Sequence, residues 1–293
     1  MASGVARREG IAGWGFVMPA LVLLGVFMIY PILSSLWMSF QVGKGMNLQF
    51  GGFRNIARLA GDAVFLKALA NTLLFLVIQV PIMLVTGLVL AAILNDQTFR
   101  GRTVYRAMIF LPCVTSLAAY SVVFKAMFTA DGVINHVLMA LHLSDTGVPW
   151  MTDPFWARVL VIIAITWRWT GYNMVFYLAA MQNIDRSIYE AARIDGVPVW
   201  ARFSRLTLPM MKPVILFTTV ISTIGTLQLF DEPNLLTRGG PSDATLTLSM
   251  YIYKLSFQFM PSFGYAATVS YVIVLLVGLL TVVQFFFARD RLK

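Results

Sequence analysis

Six apolar runs punctuate the chain, near residues 14–38, 69–94, 105–128, 156–179, 213–232 and 266–288. Each reaches the roughly 20 residues that an α-helix needs to cross a bilayer. Lipid offers no partner to backbone N–H and C=O groups, so a crossing run is either a helix or a strand of a closed barrel. The runs lack the in–out alternation of barrel strands. The fold class that follows is an all-α membrane protein with six transmembrane helices, read as one domain over residues 1–293. Only 12% of the residues are charged, about half of what a soluble surface carries. Pro31, Pro81 and Pro112 fall inside runs; in a bundle, neighbours re-satisfy the carbonyls they free. The first run is too long for a signal-peptide core and lacks a convincing cleavage site, so it reads as an uncleaved helix.

The net charge of +9 comes from short clusters between the runs rather than from one stripe, so no nucleic-acid partner is expected. One set of segments carries Arg7 and Arg8; Arg100, Arg102 and Arg106; Arg186, Arg193, Arg202, Arg205 and Lys212; Arg289, Arg291 and Lys293. The other carries Lys44, Arg54, Arg58, Lys67, Arg238 and Lys254. The first set is denser in shorter segments. The positive-inside rule makes it cytoplasmic, with both termini inside. Trp14, Trp37, Trp150 and Trp156 fall near the expected interfaces, where amphipathic rings belong. With one cysteine, Cys113, and two histidines, His136 and His142, neither a disulfide framework nor a metal site is expected. No Gly-x-x-x-x-Gly-Lys-Ser/Thr loop is present, so the chain does not cradle ATP that way and is not read as an enzyme.

Between the fourth and fifth runs, residues 185–212 are too long for a bare connection. Ser187 and Glu190 have capping-box spacing. Ala191 and Ala192 favour helix. Gly196 suits a left-handed helix end, and Pro198 suits the first turn of a second helix. A short helix, a glycine turn and a second short helix are expected. Tyr189, Ile194, Trp200 and Phe203 give the pair apolar surface, and such a surface usually seeks a partner.

In this loop Glu190-Ala191-Ala192, Asp195-Gly196 and Leu206-Thr207-Leu208-Pro209 resemble the cytoplasmic signature of ABC importer permeases. Val197 stands where alanine is usual, and Leu206 where isoleucine is common. A second stretch, Phe230-Asp231 followed by Leu236-Thr237-Arg238-Gly239-Gly240-Pro241, is similar to the carbohydrate-uptake subset, the larger permeases of maltose, lactose, oligosaccharide and glycerol-phosphate importers. The resemblance implies a type I ABC importer permease fold in the bacterial inner membrane. It implies that residues 185–212 form the coupling helix, with Glu190, Ala191, Ala192, Asp195, Gly196 and Pro209 at the joint with an ATPase subunit. It further implies a second homologous permease, two ATP-binding subunits that hold ATP and Mg, an extracytoplasmic substrate-binding protein and a sugar substrate. The permease itself would carry no cofactor. The alternatives are a permease for another solute, such as glycerol phosphate, or an ion-coupled secondary transporter.

A sugar needs hydroxyl or amide groups at its edges and flat rings against its faces. The candidate pathway residues are Trp167, Arg168, Gly171 and Tyr172 on the fourth span, and Ser222, Thr226, Gln228 and Leu229 on the fifth. Ser222, Thr226 and Leu229 share a helix face by their spacing. Aligned on the motifs, they and Trp167, Gly171 and Met174 match sugar-contacting positions of the maltose-type relatives. Arg168 lies well inside a span, where a charge is expensive. Three readings stay open for it: a carboxylate partner in Asp231 or Glu232, a subunit seam, or an anionic substrate. Asp231 and Glu232 are assigned to the outer gate or to contact with the binding protein.

Overall fold

The computed structural model describes residues 2–45 and 47–289, and the side chains of 13–45 and 47–288. Arg291 and Lys293, named above for topology, lie outside the described residues, as do the side chains of Arg7, Arg8 and Arg289. The chain forms two compact units. One runs to Gly61 and takes back Ile252–Tyr271; the other comprises Asp62–Tyr251 and the chain from Val272.

The first unit opens with α1 (Ala2–Leu24) and α2 (Tyr30–Ser39), joined without a break by a π-helical turn at Gly25–Ile29. Together Gly13–Ser39 make one apolar helix of 27 residues. A hairpin of β1 (Gln41–Lys44) and β2 (Asn47–Phe50) follows, antiparallel with Gln41 opposite Phe50. Then comes α3 (Arg54–Gly61). The buried Asn55 amide donates to the Ser39 and Gln41 carbonyls at 2.9 and 2.8 Å, which holds α3 to the end of the first span.

The second unit is built on α4 (Ala63–Asn95), capped by Asp62, whose carboxylate accepts the Val64 and Phe65 N–H groups. Next come α5 (Arg102–Val114), α6 (Leu117–Met127), α7 (Val133–Ala140) and α8 (Pro154–Gln182). The elements of the 185–212 segment are α9 (Arg186–Ile194), α10 (Val199–Arg202) and α11 (Leu208–Met210). They lead into α12 (Lys212–Leu227), α13 (Asp231–Leu236) and α14 (Leu248–Tyr253). The last span, α15 (Phe263–Arg289), passes from one unit into the other.

Four helices are long and apolar enough to cross a membrane unbroken: Gly13–Ser39, α4, α8 and α15. The other two expected spans are bent. The run 105–128 is not one straight helix, because α5 and α6 meet at 103°. Pro112 brings no N–H to the helix ladder, and Thr115 and Ser116 turn extended, with ψ of 147° and 131°. At 1.5 Å per residue each half is about 20 Å or less, short of the roughly 30 Å hydrocarbon core. The run 213–232 ends early: α12 stops at Leu227, and it meets the preceding helix Val199–Met210 at 67°.

Cores form where these helices cross. Ala91, Leu94, Met174, Tyr177, Met181 and Met211 pack at one end of α4 and α8. Phe75, Val161, Ile165 and Leu229 pack nearer the other end of the same two helices. Trp150, near an expected interface by its sequence position, is buried within the chain. Its indole N–H donates to Asn135 Oδ1 at 2.9 Å inside the connection from α6 to α8.

Candidate functional site

The segment 185–212 folds as a helical hairpin with two unlike faces. The cap differs from the capping box read from Ser187 and Glu190. Asp185 is the N-cap, and its carboxylate accepts the Ser187 N–H at 2.9 Å. An aspartate two residues earlier, where φ and ψ are already extended, reaches the second helical N–H directly and leaves Ser187 inside the helix. This hydrogen bond holds the Asp185 carboxyl below its ordinary pKa. At the other end Gly196 takes φ +67°. Its N–H bonds the Arg193 carbonyl, and the Val197 N–H bonds that of Ala192. These are the two bonds of a Schellman ending, which favours glycine because a left-handed residue with a Cβ is strained.

Pro198 caps α10, which continues through a π turn at Phe203–Thr207 into α11. The Tyr189 and Thr207 hydroxyls meet at 2.8 Å and tie the two arms. Ala192 is buried, and Ile188, Tyr189 and Phe203 pack on the core formed by Met181, Ile184 and Met211. The opposite face carries Glu190, Ala191, Asp195 and Gly196, all exposed. Beside them stand Ile194, 87% exposed, and Trp200, 75% exposed. Pro209 is half-buried where the hairpin turns into the fifth span. Uncovered apolar side chains of this size are uncommon on a surface that stays in water.

The candidate pathway residues do not form one open lining. Thr226 is buried and donates to Gln79 Oε1 of α4 at 3.1 Å. Ser222 is half-buried, 3.5 Å from Asn173 Oδ1 of α8. Leu229 and Met174 lie inside the two cores described above. Gly171 is a contact between helices: a Cβ there would stand 2.1 Å from the Ile109 carbonyl oxygen of α5. Trp167 is half-exposed and stacks on Tyr120, with ring centroids 5.8 Å apart and planes 9° apart. Tyr172 is half-buried against the edge of Trp169, and Gln228 is exposed.

Arg168, the middle residue of α8, lies 3.9 Å from Glu232 Oε1. Of the three readings open for this arginine, the pairing geometry matches the carboxylate one, with Glu232. The Trp169 indole N–H donates to the same Glu232 oxygen at 3.2 Å. The guanidinium sits 5.4 Å from the Tyr120 ring and 5.6 Å from that of Trp169. Asp231, next to Glu232, is exposed.

The Gly-Gly-Pro stretch is folded inward. After α13 the chain takes positive φ at Arg238, Gly239, Ser242 and Asp243. It is then tied to the spans. Asn71 of α4 donates to the Asp243 and Leu246 carbonyls at 2.8 and 3.0 Å. Arg158 of α8 donates to the Ala244 carbonyl at 3.0 Å and to Asn71 Oδ1 at 3.2 Å. Thr72 accepts the Leu248 N–H, and Thr247 donates to the Leu229 carbonyl. Sequence reasoning passed over Asn71 and Gln79. Their signal was available, because two buried amides eight residues apart on one face of an apolar span need partners inside the bundle. Tyr120 gave no signal, since an aromatic in a span is ordinary.

Residues 56–290 match the family model described as the binding-protein-dependent transport system inner membrane component. The chain belongs to that family. It is 61% identical over 291 residues to the lactose transport system permease protein LacF of Rhizobium radiobacter, covering 99% of this chain and 98% of that one. It is 34% identical to the sn-glycerol-3-phosphate transport system permease protein UgpA of Yersinia enterocolitica, covering 94% of each. A bacterial ABC transporter involved in the import of the acidic polysaccharide alginate has the same fold, with TM-score 0.86, 22% identity and full coverage of both chains. The protein is thus a multi-pass inner-membrane permease of the ABC importer type.

Proposed function

We propose that this permease forms half of the translocation pathway of an ATP-driven, binding-protein-dependent importer for a sugar or oligosaccharide, and that lactose is its substrate. The observation that carries the reading is the 61% identity, across almost the whole of both chains, to a lactose transport permease. The arabinooligosaccharides permease AraP of Halalkalibacterium halodurans, 31% identical over 96% of this chain, supports the wider sugar class.

The exposed side of α9–α11 is the joint with an ATP-binding subunit. Glu190, Asp195 and Gly196, with Ile194 and Trp200, present a charged and apolar surface that a groove can cover. Two such ATPase subunits hold ATP and Mg and do the hydrolysis. A second, homologous permease completes the pathway, and an extracytoplasmic binding protein delivers the sugar. Both termini and the 185–212 loop face the cytoplasm, on the side dense in Arg and Lys. Closure of the ATPase pair pushes α9–α11, whose inner face is packed on α4 and α8, and so moves the spans between inward- and outward-open arrangements. Trp167, Tyr172, Ser222 and Gln228 supply rings, hydroxyls and an amide along that route.

The test is uptake of radiolabelled lactose in cells that lack this chain and in cells that regain it, beside ATPase activity of the purified importer with lactose-loaded binding protein. Restored uptake and stimulated ATPase are expected. Uptake by the purified chain alone, with no ATPase partner, would overturn the coupled-importer reading.

A further inference from the structure

A charged pair halfway along a span is a costly thing to build. Arg168 and Glu232 are both largely buried, with side-chain exposures of 11% and 5%. At 3.9 Å the two attract as charges but are too far apart to hydrogen-bond. Arg168 Nε and Nη1 and the Tyr120 hydroxyl are buried and have no hydrogen-bond partner. These unpartnered atoms belong to two neighbouring side chains, with the guanidinium over the Tyr120 ring. Beside them Trp167 is half-exposed, with one ring face stacked on Tyr120. A buried polar group without a partner is expensive unless something else satisfies it. Donors, a hydroxyl and a ring face suit a polyol, and the net charge of the cluster is zero.

We infer that Arg168, Glu232 and Tyr120 form a charge-neutral hydroxyl-binding station in the pathway, and that Glu232 makes the permease select uncharged saccharides over acidic ones by cancelling the Arg168 charge. The inference rests on the sugar reading above and deepens it. With Glu232 present, a substrate carboxylate arriving here meets one charge of each sign and gains little. Without it, the same carboxylate meets a bare guanidinium, whose charge-assisted bonds are about twice as strong as neutral ones.

The experiment is ligand-observed NMR on the importer in nanodiscs, with the binding protein omitted so that only the membrane site is read. The probes are lactose and lactobionate, in which the glucose unit of lactose has become a carboxylate-bearing acid. Wild type is expected to bind lactose at least about tenfold better than lactobionate. Glu232→Gln should narrow or reverse that ratio by about tenfold or more. The double variant Arg168→Gln with Glu232→Gln, neutral again, should return it toward the wild-type value. Tyr120→Phe should weaken lactose severalfold and leave the ratio alone. A ratio unchanged in Glu232→Gln, or a double variant that also favours the acid, overturns the inference even while lactose binds. If Glu232→Gln does not assemble, Arg168→Gln, which leaves the Glu232 carboxylate bare, should widen the preference for lactose, and an unchanged ratio there overturns the inference. Loss of lactose uptake by the complete wild-type importer is a separate result and removes the sugar reading instead.

Discussion

Two motif-bearing segments of this permease treat their residues in opposite ways. The 185–212 hairpin turns its signature outward, with Glu190, Asp195 and Gly196 exposed next to Ile194 and Trp200. The Gly-Gly-Pro segment turns inward: Thr245, Leu246, Thr247 and Leu248 are fully buried, and Asn71, Thr72 and Arg158 hold the segment by hydrogen bonds. Both stretches drew attention as motifs of one family. In the first most motif residues are exposed, and in the second the segment's backbone is satisfied from within the chain. A motif therefore marks a constraint, and only burial tells whether the constraint is internal or external.

Several substitutions separate these two cases. The largest effect is expected on the outward face. Trp200→Glu should cut uptake on the order of a hundredfold, since buried aromatic anchors dominate interfaces. Membrane abundance and thermal stability of the permease should stay close to wild type, because the Trp200 ring is 75% exposed and its contact with Phe203, centroids 6.1 Å apart, is peripheral. A matching drop in thermal stability would show that the hairpin's outer face is structural, and the contrast would fail.

On the inward side, Asn71→Leu removes a donor from two carbonyls and the acceptor of Arg158. A loss of about 2–4 kcal/mol is expected from the orphaned groups, read as a lowered unfolding temperature in detergent. Unchanged stability would mean the loop is held by its apolar contacts alone. Gly171→Ala comes next. Its Cβ would press the Ile109 backbone, which cannot rotate away as a side chain can, so about 1–3 kcal/mol of overpacking is expected in the same assay.

The smallest effect concerns the cap of α9. The folded-state pKa of Asp185 is lowered, chiefly by the Ser187 backbone N–H. The cap's contribution is therefore complete above the ordinary carboxylate pKa of about 3.9 and fades only as pH falls through the lowered folded value. ATPase coupling should show no dependence on this group between neutral pH and pH 5. Asp185→Asn, which keeps an acceptor, should match wild type. A coupling change in Asp185→Asn near neutrality would mean the carboxylate also serves the partner.

Much of the architecture was legible in the residues. Four of the apolar runs form unbroken helices long enough to cross a membrane, and the other two fall on bent helix pairs. Gly196 announced its left-handed turn because only a residue without a Cβ takes that angle cheaply. The position of the cap was not legible, since Asp185 and Ser187 are both good N-caps and the choice depended on where Ile184 packed against α4 and α8. The breaks after Val114 and Leu227 were hidden for a related reason. Hydropathy reports whether a run can lie in lipid, and it is blind to bending when the freed backbone groups find partners elsewhere.

The sequence by itself determined the solvent, the helical class, the helix-turn-helix of the 185–212 segment and the family, because each depends on local composition or on spacing along the chain. The tertiary structure decided that Arg168 pairs with Glu232, that Thr226 meets Gln79, and that Leu229 and Met174 are packed away. Those outcomes depend on which faces of α4, α8, α12 and α13 meet. Residues 64 positions apart in the chain carry no local sign that their charges will be neighbours.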